Sequence, residues 1–271
     1  MSHPPKSLWW DSLSQPLKIR ESVDSNLELD VAIIGAGYTG LWSAYYLKQN
    51  EPNLKIGVIE ANVAGFGASG RNGGWCSALF PVGLEKLAKQ SDRQTAIRMQ
   101  KTMFETVDEV GRVIEKENID AEWQKGGSYS IARDEIQLKR AKEEAAHFKD
   151  WGFSDDDFTI FDKTEAANRI NASNILGTTF TPHCASINPA KLVRQLSDVV
   201  ERMGVKIYEN SKVTSFLKNK VFVNNYQINV KFIINATEAY RSNFKQYKRA
   251  SIPVYSLMIA TETLSQDIWN E

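Results

Sequence analysis

A short apolar run that passes directly into a glycine turn is the feature that most constrains the fold of this chain. Residues 29–34 (LDVAII) are rich in β-branched side chains and predict a strand. The sequence GAGYTG follows at once, at positions 35–40. Helix-compatible residues then cover 41–49, and residues 54–60 (LKIGVIE) predict a second strand. Together these segments predict one complete β-turn-α-turn-β unit.

Each special position in this unit has a physical reason if a dinucleotide binds there. Gly35 permits the tight turn, Gly37 lets the backbone approach a pyrophosphate, and Gly40 lets the helix pack closely on the strand. The helix N-terminus offers free N–H groups to the phosphates. Glu60, at the end of the second strand, can accept hydrogen bonds from a ribose and would repel a 2′-phosphate. Proteins that bind FAD and proteins that bind NAD share this pattern, so it does not distinguish the two cofactors. The alternative to dinucleotide binding is a βαβ unit with a glycine turn in which the glutamate has no ligand.

A second glycine-rich segment follows Glu60 almost directly. Residues 64–74 (AGFGASGRNGG) contain five glycines in eleven positions. Such a segment is costly to order, which is explained if its backbone wraps a ligand. Ser69 and Arg71 suit a phosphate, and Asn72 suits the edge of a heterocycle. A mobile surface loop would have the same composition and is the alternative interpretation.

Composition and charge argue against several other classes of protein. The 33 Lys and Arg residues are balanced by 33 Asp and Glu residues, without the basic excess typical of proteins that bind nucleic acid or anionic membranes. No apolar stretch approaches the roughly 20 residues of a membrane span, and the first residues do not resemble a secretory signal. Cys76 and Cys184 form no CxxC, and the three histidines lack ligand spacing, so we expect no metal site. We therefore expect a cytoplasmic protein.

The two glycine motifs also resemble a known family. DVAIIGAGYTGLWSAYYLK and EANVAGFGASGRNGG are similar to sequences of the FAD-dependent amine and amino-acid oxidoreductases in the D-amino-acid-oxidase-like superfamily. Within it, the gamma-glutamylputrescine oxidase group is the most similar. The segments SLWW at 7–10, INATEAY at 234–240 and SLMIATE at 256–262 resemble that group too. The resemblance extends from about residue 7 to the end of the chain.

This resemblance implies FAD as the cofactor and a set of residues that bind it. These residues are Gly35, Ala36, Gly37, Tyr38, Thr39, Gly40, Glu60, Ala61, Gly67, Ala68, Ser69, Arg71, Asn72, Gly73, Gly74, Val213, Ala236 and Thr237. Val213 would touch the adenine through its backbone, and Ala236 and Thr237 would close over the cofactor at a strand end. The sequence singles out no catalytic residue.

The resemblance further implies an α/β fold with two domains. A Rossmann-like FAD-binding domain would comprise residues 1–90 and 178–248. A mixed α+β substrate domain, residues 91–177 and 249–271, would be inserted into it.

The apolar pattern of the sequence itself predicts strands at 227–230, at 232–235 and, last in the chain, at 255–261.

The implied reaction is oxidation of the C–N bond of a small-molecule amine or amino acid by hydride transfer to the flavin. Family members continue beyond the position of Glu271, so we expect an incomplete substrate domain and little activity. Exposed sheet edges would then favour self-association. The alternative function is a non-catalytic FAD-binding fragment, or a subunit that needs a second chain to complete its site.

Overall fold

The structure is a computed structural model that describes residues 7–14, 16–252, 254 and 256–270. The helices in this described part are α1 Leu8–Asp11, α2 Tyr38–Asn50, α3 Leu84–Gln90, α4 Arg93–Lys116, α5 Glu135–Asp150, α6 Lys163–Ala167, α7 Pro189–Arg202 and α8 Gln266–Asn270. The strands are β1 Leu27–Ile34, β2 Ile56–Ile59, β3 Trp75–Ser77, β4 Ser128–Ala132, β5 Thr159–Asp162, β6 Gly177–Thr181, β7 Cys184–Ser186, β8 Lys206–Tyr208, β9 Val213–Leu217, β10 Lys220–Val223 and β11 Tyr226–Asn235.

The chain divides into two compact units, and the first contains the predicted βαβ unit. It consists of the described residues of Met1–Gly74, Glu117–Ala121 and Asn188–Ala260. Its six strands form one sheet in the order β8-β2-β1-β11-β10-β9. Strand β1 pairs in parallel with both β2 and β11, and α2 connects β1 to β2. This arrangement confirms the predicted α/β fold class.

Strand β1 occupies the centre of this sheet because both of its faces are apolar and covered. Ala32 and Ile34 belong to a buried cluster that also includes residues of β9, β10 and β11. Ile33 faces the other way, toward α2, where its Cγ2 lies 3.2 Å from the position that a Cβ on Gly40 would take. A continuous apolar run is typical of a parallel strand buried on two sides.

The second unit consists of the described residues of Trp75–Lys116, Glu122–Ile187 and Thr261–Glu271. Its main sheet is antiparallel, with strand order β4-β6-β5, and β3 pairs separately with β7. Helices and antiparallel strands are mixed in this unit, as expected for the domain inserted into the Rossmann-like fold.

Three local expectations from the sequence were wrong. The strands expected at 227–230 and 232–235 are one strand, β11, because β1 pairs with it from Ile228 to Asn235, on both sides of the expected break. No strand forms at 256–261, where Leu257 and Ile259 are exposed and no described strand lies alongside; Tyr255 lies outside the described residues. A strand without a partner is not stable in water. Residues 1–28 are polar and have prolines at 4, 5 and 16, which predicts an irregular segment, but their described part contains the short helix α1.

Two negative findings hold for the described residues alone. None of their helices combines the length and the apolar character that a membrane span requires. No group of three or more His, Cys, Asp or Glu side chains among them is arranged to hold a metal ion.

Candidate cofactor site

The glycine turn after β1 has no space for side chains at two of its positions. Gly35 has a φ of +105°, and a Cβ there would lie 2.7 Å from the carbonyl oxygen of Ala236. A Cβ on Gly40 would lie 2.0 Å from the carbonyl oxygen of Gly35. Both contacts are with backbone, which cannot move away cheaply. The first turn of α2 is therefore held directly against the end of β1, beside the end of β11.

The N-terminus of α2 meets the glycine-rich loop through Ser69. The backbone N–H of Tyr38 donates a hydrogen bond of 2.9 Å to the Ser69 hydroxyl. A Cβ on Gly37 would lie 2.8 Å from the same oxygen. An oxygen atom thus already accepts a hydrogen bond at this helix N-terminus. The lack of a Cβ at Gly37 means that no side chain of this residue blocks the helix N-terminus. Those are the properties that an anionic group at a helix N-terminus requires.

Glu60 connects the turn to the loop. One carboxylate oxygen accepts the N–H of Ala36 at 2.8 Å, and the other accepts the N–H of Asn62 at 2.9 Å. Burial raises the pKa of Glu60 above its ordinary value, although both N–H groups oppose that shift. The carboxylate therefore braces the backbone of the site, in addition to the role toward a ribose that the sequence predicts.

The glycine-rich loop is ordered largely by its own side chains. The side-chain amide of Asn72 donates to the carbonyl oxygens of Ala68 and Ser69, at 3.2 and 3.1 Å, and its oxygen accepts the N–H of Gly74 at 2.9 Å. Arg71 lies over the ring of Phe66, 5.4 Å from its centroid. Asn72 thus folds back onto its own loop, and the sequence prediction that it faces a heterocycle stays a prediction.

Helix α1 supports this loop in a way that sequence reasoning missed. The indole Nε1 of Trp9 donates a hydrogen bond of 2.8 Å to the carbonyl oxygen of Asn72. Trp10 is buried in an apolar cluster with Val63 and Ala190. The two adjacent tryptophans near the N-terminus could have indicated such a contact, but the family resemblance assigned them no role. The loop is therefore held from outside as well as from within.

A buried ion cluster lies below the loop. Glu209 is fully buried and accepts the N–H of Ala64 at 2.9 Å, which fixes the beginning of the loop. The guanidinium groups of Arg20 and Arg194 donate to the same carboxylate at 3.1 and 2.9 Å. Burial alone would raise the pKa of Glu209, but these N–H donors and arginine charges lower it below its ordinary value. The cluster joins four separate chain segments beneath the site.

These elements enclose a cavity of about 400 Å³ within the first unit. The predicted residues that line it are Gly35, Gly37, Tyr38, Thr39, Glu60, Ala61, Gly67, Ala68, Ser69, Val213, Ala236 and Thr237. The predicted residues outside its lining are Ala36 and Gly40, behind the turn, and Arg71, Asn72, Gly73 and Gly74, farther along the loop. The structure thus brings residues from four separate parts of the sequence, 34–39, 59–69, 212–213 and 236–244, to one cavity.

Several lining residues were not foreseen. Glu238, Tyr240 and Asn243 come from the short 3-10 segment Glu238–Asn243 that follows β11, Phe244 comes directly after that segment, and Lys212 precedes β9. Hydrophobic periodicity does not predict such a 3-10 segment, although its position directly after Thr237 could have indicated that it lies at the cavity.

A second groove of about 470 Å³, elsewhere in the same unit, is lined by paired charges such as Lys191 and Asp120 rather than by a glycine turn.

Comparison with known proteins identifies the family. The model of the family described as FAD dependent oxidoreductase, DAO, matches residues 30–271, which is most of the chain. The chain belongs to this family of FAD-dependent oxidoreductases. The recognition made from the two glycine motifs is thereby confirmed, and so is FAD as the cofactor.

Two curated relatives of this oxidoreductase family match nearly the whole chain. The probable oxidoreductase OrdL of Haemophilus influenzae is 29% identical over 97% of this chain and 62% of its own length. The gamma-glutamylputrescine oxidoreductase of Escherichia coli is 27% identical over 92% of this chain and 58% of its own length. The chain therefore spans about three fifths of the length of these relatives.

Solved structures of FAD oxidoreductases and related enzymes share the fold. The L-amino acid deaminase of Proteus myxofaciens superimposes with a TM-score of 0.70 at 20% identity, over 87% of this chain and 52% of the deaminase. The residues at the cavity also fit FAD on physical grounds. The absent side chains at Gly35 and Gly37 and the N-terminus of α2 suit a diphosphate, and Glu60 can accept from a ribose hydroxyl.

Proposed function

We propose that this chain provides the FAD site of an oxidoreductase that oxidises the C–N bond of a small-molecule amine or amino acid. The observation that carries the proposal is the cavity enclosed by the glycine turn, Glu60 and the end of β11. When bound, FAD supplies a hydride acceptor for such a bond. The names of the similar proteins, among them gamma-glutamylputrescine oxidoreductase and L-amino acid deaminase, support an amine or amino acid as the substrate class.

The chain's own residues then have separate tasks. The backbone at Gly35 and Gly37 and the N-terminus of α2 bind the diphosphate. Glu60 binds the ribose and holds the turn, and the backbone of Val213 borders the adenine. Ala236 and Thr237 cover the cofactor, and the loop from Gly67 to Gly74 borders its ribityl chain and ring. We include in this assignment the predicted residues that lie outside the cavity lining, namely Ala36, Gly40, Arg71, Asn72, Gly73 and Gly74.

The domain assignment follows from these tasks. We assign cofactor binding to residues 1–90 and 178–248 and substrate contacts to residues 91–177 and 249–271. The first compact unit supports the former for residues 1–74 and 188–248, since it contains every residue that lines the cavity, whereas residues 75–90 and 178–187 belong to the second unit. We place the protein in the cytoplasm on the basis of its two cysteines, which form no disulfide.

A glycine substitution at the turn tests the cofactor site. Gly37→Val should abolish FAD binding, because its side chain would meet Ser69 and block the approach to the helix N-terminus. Gly126→Val is the matched control, since no atom lies within 4 Å of a Cβ at that position. Flavin content after reconstitution is measured from the absorption spectrum. Equal flavin content in Gly37→Val and the parent would reject the site.

The reaction is tested separately. FAD-loaded protein is mixed anaerobically with polyamines, gamma-glutamyl amines and amino acids, and bleaching of the flavin absorbance is followed. Bleaching by one class of amine supports the proposed reaction and names the substrate class. Retention of FAD without bleaching by any of them would contradict C–N oxidation by this chain while leaving the cofactor site in place.

A further inference from the structure

Glu238 has a backbone conformation that glutamate rarely adopts. Its φ is +47°, in the left-handed region. Most other described non-glycine residues with positive φ are asparagines, which tolerate this region. Strain of this kind persists only where the surrounding structure maintains it, and it is concentrated at functional sites.

The contacts of the following residues explain why the strain is maintained. Glu238 begins the 3-10 segment Glu238–Asn243, and the N–H of Tyr240 bonds to the carbonyl oxygen of Thr237. The Tyr240 ring lies over Gly67, where a Cβ would be 3.2 Å from its Cε2. The Tyr240 hydroxyl is 3.5 Å from the Arg71 guanidinium. The left-handed turn at Glu238 thus directs the chain back across the cavity, and the backbone cannot relax without moving Tyr240.

The Glu238 carboxylate differs from the other acidic group at the cavity. Both residues line the cavity, but Glu60 is held by two backbone N–H groups. Glu238 is exposed, and among the described residues its side chain has no hydrogen-bond or ion-pair partner. Lys212 is the lining residue that carries positive charge, but it forms no ion pair with Glu238. Glu238 therefore adds a negative charge without an ion pair to a cavity whose glycine turn is suited to an anion.

We propose that Glu238 is an affinity-setting residue of the cofactor site, whose carboxylate repels the diphosphate of FAD and promotes its release. The inference rests on the proposed function, because it requires FAD in this cavity. Removal of the charge should tighten FAD binding, and the tightening should fade as salt screens the repulsion. The backbone strain is a separate property and should affect the melting temperature of the protein instead.

Two substitutions and one control separate charge from backbone. Glu238→Gln removes the charge and keeps the strain, whereas Glu238→Gly removes both. Glu51→Gln makes the same change in net charge at an exposed position at the C-terminal end of α2, outside the cavity lining. FAD affinity of the full chain is measured by titration of FAD fluorescence at low and high ionic strength, with the melting temperature recorded without FAD.

At low salt, Glu238→Gln and Glu238→Gly should both bind FAD about two- to fivefold more tightly than the parent, the range for interactions between exposed charges. The gain should shrink at high salt, Glu51→Gln should match the parent, and Glu238→Gly alone should raise the melting temperature. Unchanged or weaker FAD binding by Glu238→Gln, in a parent that binds FAD, would overturn the inference alone. Absence of FAD binding from the parent and all variants would overturn the proposed function as well.

Discussion

Glu60 and Glu209 occupy equivalent places in the sheet, yet their surroundings give them different roles. Strands β2 and β8 are parallel neighbours in which Ile59 pairs with Tyr208, and each strand is followed by its glutamate. Glu209 is fully buried and paired with two arginines, whereas Glu60 lies at the cavity and is held by backbone N–H groups. The pKa of Glu209 is lowered, and that of Glu60 is raised.

The comparison shows how partners determine the role of a buried carboxylate. The negative charge of Glu209 is balanced by its arginine partners within the protein, so this carboxylate stabilises the fold and is not available to a ligand. Backbone partners satisfy Glu60 only in part, and the energetic cost of burying its charge remains. A ligand hydroxyl that donates to Glu60 can offset this cost, which is the physical basis for expecting a ribose there.

Removal of Glu209 should have the largest effect. Glu209→Ala leaves the Arg194 charge without its carboxylate partner and removes the fully buried carboxylate that pairs with Arg20, so it should lower the free energy of unfolding by about 3–5 kcal/mol. Urea denaturation measures the change. Asp198→Ala is the matched control, because Asp198 bonds to the same Arg20 but has 48% of its side chain exposed, and it should cost under about 1 kcal/mol. Equal losses in the two variants would contradict a special role for the buried carboxylate.

Removal of Glu60 should act on the cofactor rather than on the fold. Glu60→Ala should weaken FAD binding by about 1–3 kcal/mol, the usual cost of losing a hydrogen bond to a charged group. Equilibrium titration with FAD measures the change, and Glu60→Gln, which keeps one acceptor oxygen, should lose less. If FAD affinity is the same in Glu60→Ala and the parent, Glu60 is not the ribose partner, and the contrast with Glu209 loses its functional meaning.

The two carboxylates should also give opposite pH dependences, which is the smallest effect. The raised pKa of Glu60 means that its protonated form favours folding, so its contribution is fully present below pH 4.5 and is lost as pH rises through the folded pKa. The lowered pKa of Glu209 means that its contribution is fully present above pH 4.5 and is lost as pH falls through the folded pKa. Unfolding free energies of the parent, Glu60→Gln and Glu209→Gln, measured without FAD between about pH 3.5 and 7, should separate the two contributions. A parent profile identical to that of Glu60→Gln would contradict the raised pKa.

The sequence predicted the parts of this site that depend on backbone shape. A strand followed by spaced glycines and a terminal acid can be recognised because each position excludes other residue types, as the contacts of Gly35 and Gly40 illustrate. The anchor at Glu209 could not be predicted, since Arg20 lies 189 positions away and a glutamate after a strand has no distinctive pattern. Helix α1 was missed for a similar reason: the contact of Trp9 with the loop spans 63 positions.

Errors in the strand assignments also have a physical origin. The apolar pattern of residues 256–261 favours a strand, but a strand forms only when a neighbour accepts its hydrogen bonds, and periodicity contains no information on neighbours. The opposite error occurred at Lys231, which lies between the two strands expected at 227–230 and 232–235. The strand continues there because Val230 and Phe232 on either side pair with β1, and the Lys231 side chain bonds to Asp30 at 2.7 Å.

The central position of β1 has a kinetic consequence. Its backbone is paired with β11 on one side and β2 on the other, and residues 31–34 are buried. Their amide protons can therefore exchange with deuterium only when the whole six-stranded sheet opens, whereas amides in the loop from Gly67 to Gly74 can exchange through smaller local openings. The slowest-exchanging amides of the first unit should thus lie immediately before Gly35, so the turn that we propose to bind the diphosphate is attached to the part of the sheet that opens least often.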